Sequence, residues 1–181
     1  MATRRINIFG GPGCGKSTVA ASIFSRLKAE GHEIELVDEY VKSWAYEKRE
    51  ICSFDQAYLF MQQLRKEYLV LRHSAGCIVT DSPLVLSICY AKKYGFKRWE
   101  CLQNIADDFE EEYPSINVIL DREGCEYKQE GRYEDYKQAL AMDGMISDYI
   151  YNCGINHCKI PFNDHDGMVK WARKNVLSMQ Q

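Results

Sequence analysis

Between Gly10 and Thr18 the chain reads Gly-Gly-Pro-Gly-Cys-Gly-Lys-Ser-Thr, and a short, mainly apolar run from Ile6 to Phe9 leads into it. Few nine-residue stretches restrict a fold so strongly. The spacing G-x-x-x-x-G-K-[ST] belongs to a loop that leaves a buried strand, turns tightly and enters a helix. Such a turn aims consecutive backbone N–H groups at one point, and the helix behind it adds its positive end. The spacing thus predicts a phosphate cradle formed by Gly11, Pro12, Gly13, Cys14, Gly15, Lys16, Ser17 and Thr18. Lys16 would face the β- and γ-phosphates and the Ser17 hydroxyl would ligate Mg²⁺, so the loop implies a bound nucleoside triphosphate.

The rest of the chain alternates in the same way. Val19, Ala20, Ile23, Phe24 and Leu27 recur at helical spacing, and Gly31 marks the stop. A strand follows at Ile34 to Val37, then a short helix or irregular stretch from Tyr40 to Lys48. Ser53 and Gln56 form a predicted capping box for a long amphipathic helix carrying Leu59, Tyr68 and Leu71. Further strands are expected at Cys77 to Thr80, Ile116 to Leu120 and, more weakly, Cys158 to Phe162. Helices should fill the intervals, with Pro83 opening one and Pro114 stopping another. Strand–helix alternation calls for an α/β architecture, a parallel sheet covered on both faces. With 181 residues and no linker or repeat, one domain spanning 1–181 is expected.

Composition narrows the function class. A 46% hydrophobic content fits a soluble globular chain, and a net charge of −3 gives no footprint for charge-driven coating of nucleic acid. No run approaches the length of a membrane span. Arg4-Arg5 precedes an apolar stretch too short for a leader, so a cytoplasmic location is expected, the host cytoplasm if the chain is phage-encoded. Eight cysteines with no C-x-x-C pair read as small buried hydrophobes in a reducing compartment. Cys14 stands apart, because a thiol inside the cradle is a liability to oxidation or alkylation.

In parallel sheets of this kind ligands gather at the carboxyl ends of the strands. Asp81 ends the third strand, where it can serve the metal or cap the helix after Pro83. Asp38 and Glu39 end the second, where a carboxylate can take the proton of an acceptor hydroxyl; the sequence leaves open which one does. The polar stretch from Arg122 to Arg132, bracketed by Gly124 and Gly131, reads as a lid or as an exposed loop of mixed charge. As a lid it would bring Arg122, Lys128 and Arg132 over the phosphates. Gln56, Gln62 and Gln63, with Arg65, lie on the helix that would flank the acceptor pocket, where amides can read a base or carboxamide edge, and Tyr40, Trp44, Tyr46 and Tyr58 offer flat faces for an acceptor ring. Surface glutamines and core aromatics are the plainer alternatives.

Together the cradle, Val37-Asp38-Glu39-Tyr40, the Asp55-Gln56 helix, Val79-Thr80-Asp81-Ser82 and Gly131-Arg132 resemble the small P-loop kinase family that includes the ribosylnicotinamide kinase domain. That family also holds many bacteriophage proteins, some similar to kinases of hydroxymethyluracil in DNA; nucleoside and nucleoside monophosphate kinases are more distant. The resemblance implies a three-layer α/β/α sandwich with a five-stranded parallel sheet in the order 2-3-1-4-5. It also implies ATP with Mg²⁺ as cofactors and transfer of the γ-phosphate to a hydroxyl. Carried onto this sequence, Lys16, Ser17 and Asp81 would hold ATP-Mg²⁺, Glu39 would sit at the acceptor and Arg132 would act from the lid. The expected activity is therefore a kinase acting on a nucleoside- or nucleotide-type acceptor, with a modified pyrimidine in DNA as a further candidate. A P-loop switch that hydrolyses nucleotide to signal to a protein partner is the other class. The absence of an N-K-x-D guanine-reading motif speaks against that switch.

Overall fold

The computed structural model describes residues 5–73 and 76–177; residues 1–4, 74–75 and 178–181 of the expected domain lie outside the described residues. Five parallel strands form one sheet in the order β2-β3-β1-β4-β5. They are β1 (Arg5–Phe9), β2 (Ile34–Val37), β3 (Cys77–Thr80), β4 (Ser115–Asp121) and β5 (Cys158–Pro161). The helices are α1 (Lys16–Ala29), α2 (Lys42–Tyr46), α3 (Asp55–His73), α4 (Leu84–Lys93), α5 (Trp99–Glu112), α6 (Tyr136–Asn152) and α7 (His165–Leu177). This is the α/β fold and strand order that the resemblance implies.

Strand pleat sorts the core into two layers. Ile6 and Ile8 of β1 face α1 and α7, where Ile23, Leu27, Met168 and Ala172 close the layer. Phe9 turns to the opposite face and packs in a layer built from α3, α4, α5 and α6, including Phe60, Leu86, Phe109 and Ile146. The inner strands are buried on both faces, so their residues carry no polar–apolar alternation.

Two local expectations fail. Gln56 does not reach back to Ser53; the Asp55 carboxylate takes the Cys52 N–H at 2.8 Å, and Gln56 is buried. The complete capping box lies at α6 instead, where Asp135 and Gln138 bond each other's backbone N–H groups. The cysteines also divide: Cys14, Cys77 and Cys89 are buried, whereas Cys52, Cys101 and Cys153 are exposed. Cys14 itself is fully buried beneath Gly10, which removes it from attack by solvent oxidants or alkylating agents. No described helix is long and apolar enough to cross a membrane.

Candidate functional site

β1 delivers the cradle to the carboxyl edge of the sheet, and α1 starts at Lys16 with Gly15 at φ +88° before it. Gly13 is needed for two reasons. Its φ is +73°, and a Cβ there would stand 2.8 Å from the Tyr127 ring. Lys16 Nζ donates to the Gly11 carbonyl at 2.9 Å. Ser17 Oγ donates to Asp81 Oδ2. Its carboxylate faces the cradle, and α4 has no side-chain cap. The other oxygen, Oδ1, is buried with no hydrogen-bond partner among the described residues.

A cleft of about 310 Å³ opens beside the cradle. Lys16, Ser17 and Thr18 line one end, and Glu39, Tyr40, Gln56 and Gln63 form one wall. Ser87 and Tyr90 of α4, Tyr94 just beyond its end, and Gly131 to Glu134 complete the lining. The strand end Asp38-Glu39 is thereby resolved. Asp38 is exposed and turned to α3, where Lys66 Nζ donates to its carbonyl at 2.8 Å and pairs with its carboxylate. Glu39 enters the cleft. Burial raises its carboxyl above the ordinary value; the Lys16 charge pulls it down, and Asp81 pushes it further up.

The glutamines and aromatics rearrange in the same manner. Gln62 does not line the cleft; Gln63, one position on and about 100° around α3, does. Trp44 does not line it either, but stacks on Tyr58 with ring centres 5.9 Å apart and has the Arg49 guanidinium 5.1 Å from its ring centre. Tyr40 and Tyr46 remain on the cleft wall. Burial pushes the Tyr90 hydroxyl well above its ordinary value and that of Tyr94 up to about 12, so both are neutral hydrogen-bonding groups.

The segment after β4 is anchored at both ends. Arg122 is only 8% exposed. Its Nη2 donates to the Pro12 carbonyl at 2.7 Å, and its guanidinium pairs with Asp143 of α6. Asp143 Oδ1 in turn accepts the Gly11 N–H at 2.6 Å. Arg122 is therefore a clamp on the cradle and not an arginine that swings in from a lid. Burial works against its charge, but the bond to Asp143 and the charge of that carboxylate hold the guanidinium protonated. At the far end, buried Glu134 pairs with Lys93 of α4, and its carbonyl accepts the Gln129 amide at 2.9 Å. Between these anchors Arg132 lines the cleft beside Gly13, while Lys128 is exposed and outside it.

A sequence profile described as an AAA domain matches residues 5–166. The chain belongs to this AAA domain family. It is a P-loop nucleotide-binding domain. Among proteins of curated function none matches the sequence. Among solved structures, a NadR protein in complex with NAD and AMP-PNP aligns over 96% of this chain and 49% of its own, with a TM-score of 0.68 and 12% identity. A NadR protein in complex with NR aligns over 96% and 51%, with a TM-score of 0.67 and 11% identity. APE1195 aligns over 99% and 98%, with a TM-score of 0.55 and 14% identity. At these identities the likeness is one of fold, and the chain spans about half the length of the NadR proteins.

Asp143, Glu134, Tyr90 and Tyr94 are the site residues that sequence reasoning missed. Ser87, Tyr90 and Tyr94 recur at i, i+3 and i+7 on the helix after Asp81, a spacing that puts them on one face. Asp143 carries a fainter sign, a carboxylate next to the buried Met142 in the middle of α6.

Proposed function

We propose that the protein transfers the γ-phosphoryl group of ATP to a hydroxyl of an uncharged, nucleoside-type acceptor. The observation that carries this reading is Glu39: of the two strand-end carboxylates it is the one that lines the cleft, which it shares with Lys16 and Ser17. A nucleotide hydrolase needs no second pocket, whereas this cleft has a tyrosine-bearing lining beside Glu39. Tyr40, Tyr46, Tyr90 and Tyr94 suit a flat ring with polar edges. Among the described residues Lys42 is the one cation of that half, with Arg132 at the cradle side, which favours an acceptor without a phosphate of its own. The NadR structures with NAD and AMP-PNP, and with NR, support nucleotide-type ligands for this fold.

In the reaction Glu39 accepts the acceptor's hydroxyl proton as the oxygen bonds to the γ-phosphorus. The bond from that phosphorus to the β-phosphate oxygen breaks, and ADP leaves with the electron pair. Lys16 neutralises charge on the β- and γ-phosphates, and Arg132 does so from the segment after β4. The oxygen set of Ser17 and Asp81, with buried Oδ1 of Asp81 unpartnered, fits Mg²⁺ at the cradle. When bound, that ion supplies charge neutralisation along the phosphates.

The test is an acceptor screen with ATP radiolabelled at the γ-phosphate, using free nucleosides, nucleotides and hydroxymethylated DNA. Label should move to a neutral nucleoside. Phosphate release that depends on a protein partner, with every acceptor unlabelled, would replace the kinase by a hydrolytic switch. Transfer confined to nucleotides or DNA would refute the uncharged acceptor.

A further inference from the structure

Three polar residues, Gln56, Gln63 and Glu67, are buried on the sheet-facing side of α3, where apolar residues would pack. Glu67 is fully buried and Gln63 is 2% exposed. Gln63 Oε1 accepts the Tyr40 N–H at 3.0 Å. A backbone N–H can only donate, so the carboxamide oxygen must face Tyr40 and the NH₂ must point the other way. One helical turn on stands Glu67. Nε2 of Gln63 and Oε1 of Glu67 are a buried donor and a buried acceptor on successive turns, each without a hydrogen-bond partner among the described residues. The second oxygen, Oε2, faces Arg5 Nη1 at 3.4 Å. Arg5 is fixed in turn: Nε donates to the Tyr113 carbonyl at 2.7 Å, Nη2 pairs with Glu110, and the guanidinium lies 4.7 Å from the centre of the Phe109 ring.

We infer that Glu67 is a positioning residue for the acceptor half of the cleft. Held by Arg5, it orients the Gln63 carboxamide, and Gln63 fixes the Tyr40 backbone and the Glu39 side chain next to it. The inference rests on the kinase reading for its catalytic consequence but not for its structural content. Each link has one possible polarity. Arg5 offers only donors, so it demands oxygen from residue 67. Gln63 offers its NH₂, so it demands oxygen as well. A carboxylate satisfies both demands and a carboxamide cannot. Burial raises the Glu67 carboxyl to about 7, against the pull of Arg5, so the ionised form that both donors demand is fully populated only above that pH. The charged groups facing it are Arg5 and, more remotely, Glu110.

Glu67→Gln tests the relay, because its amide must turn an NH₂ toward either Arg5 or Gln63. Three quantities are read on the full chain: ATP affinity, hydrogen exchange of the Tyr40 amide, and kcat with the acceptor found in the screen. Expected are an ATP dissociation constant within about twofold of wild type, Tyr40 exchange faster by about tenfold or more, and kcat lower by about tenfold. Gln63→Leu should give the same pattern, and adding Glu67→Gln to it should add little. A merely structural role would weaken ATP binding and exchange protection throughout the sheet alike. Unchanged Tyr40 exchange in Glu67→Gln overturns the relay. If no acceptor is phosphorylated by the wild type, the kinase reading falls by itself, and Tyr40 exchange still decides the relay. Should Glu67→Gln fail to fold, Glu67→Asp, which keeps the charge and withdraws it by one methylene, gives the decision: faster Tyr40 exchange is expected and unchanged exchange overturns the relay.

Discussion

Asp143 lies outside the phosphate loop in sequence by more than a hundred residues, yet replacing it should damage that loop more than most changes within the cleft. Asp143→Ala removes three contacts at once: the acceptor for the Gly11 N–H at 2.6 Å, and two to the Arg122 guanidinium. Arg122 is 8% exposed and among the described residues keeps only the Pro12 carbonyl, so a buried cation would be left without its counter-charge. Breaking a buried pair of this kind costs about 3–5 kcal/mol. Asp143 is 26% exposed along its side chain, and water can reach the vacated space, so a loss of about 2–4 kcal/mol is expected. Part of that loss appears as disorder in residues Gly11 to Gly13, and ATP affinity should fall about 10- to 100-fold, since each 1.4 kcal/mol is tenfold. Asp143→Asn, which keeps an oxygen for Gly11 but not the charge, should lose about half as much. Urea denaturation and titration calorimetry with a non-hydrolysable ATP analogue measure both numbers. A double-mutant cycle with Arg122→Ala isolates the pair. If Asp143→Ala unfolds within about 0.5 kcal/mol of wild type and binds the analogue equally well, the clamp does not exist as described.

Glu39→Gln should lower kcat by about 10²–10⁴-fold with nucleotide affinity retained. Because burial raises the Glu39 carboxyl and a base works ionised, wild-type activity should rise with pH through a limb above the ordinary value of 4.5, absent from the variant. A pH–rate profile that is superimposable for the two proteins would remove Glu39 from the chemistry. Asp38→Asn should leave kcat and KM within about twofold and stability within about 0.5 kcal/mol, because its pair with Lys66 is surface-exposed. Steady-state kinetics contradicting this would return Asp38 to the cleft. The buried Glu67 carboxyl, raised from 4.5 to about 7, binds its proton more tightly folded than unfolded. Stability should therefore fall as pH rises from about 4.5 to 7, by on the order of 1–3 kcal/mol, relative to Glu67→Gln. Parallel urea midpoints for the two proteins across that range would refute it.

The donor half of the cleft was legible because its chemistry is contiguous: one strand, one loop and one helix carry Gly11 through Thr18, and local spacing determines how they lie. The strand boundaries at Ile34–Val37 and Cys77–Thr80 were legible for a related reason, since polar residues and glycines punctuate short apolar runs. The acceptor half depends on which way each side chain turns. Asp38 and Glu39 are neighbours on a strand end and so point apart; that one enters the cleft is visible in the sequence, but which one is not. Gln62 and Gln63 differ by about 100° of helix rotation. Positions 56, 59, 60, 63, 67 and 71 trace the buried face of α3, but polar residues at three of them masked its period. Arg122 was misplaced for a deeper reason. Its counter-ion comes from α6, and no local pattern announces a pairing across 21 positions.

The anchoring of the segment between β4 and α6 has an engineering consequence. Its near root is tied to the cradle through Arg122, its far root to α4 through Glu134, and neither tie involves residues 123–133 themselves. The intervening loop is therefore replaceable only in part: Tyr127 and Arg132 lie against Gly13 of the cradle and must stay, whereas exposed side chains such as Glu123 and Glu126 can be rewritten while the two ion pairs keep the ends in register.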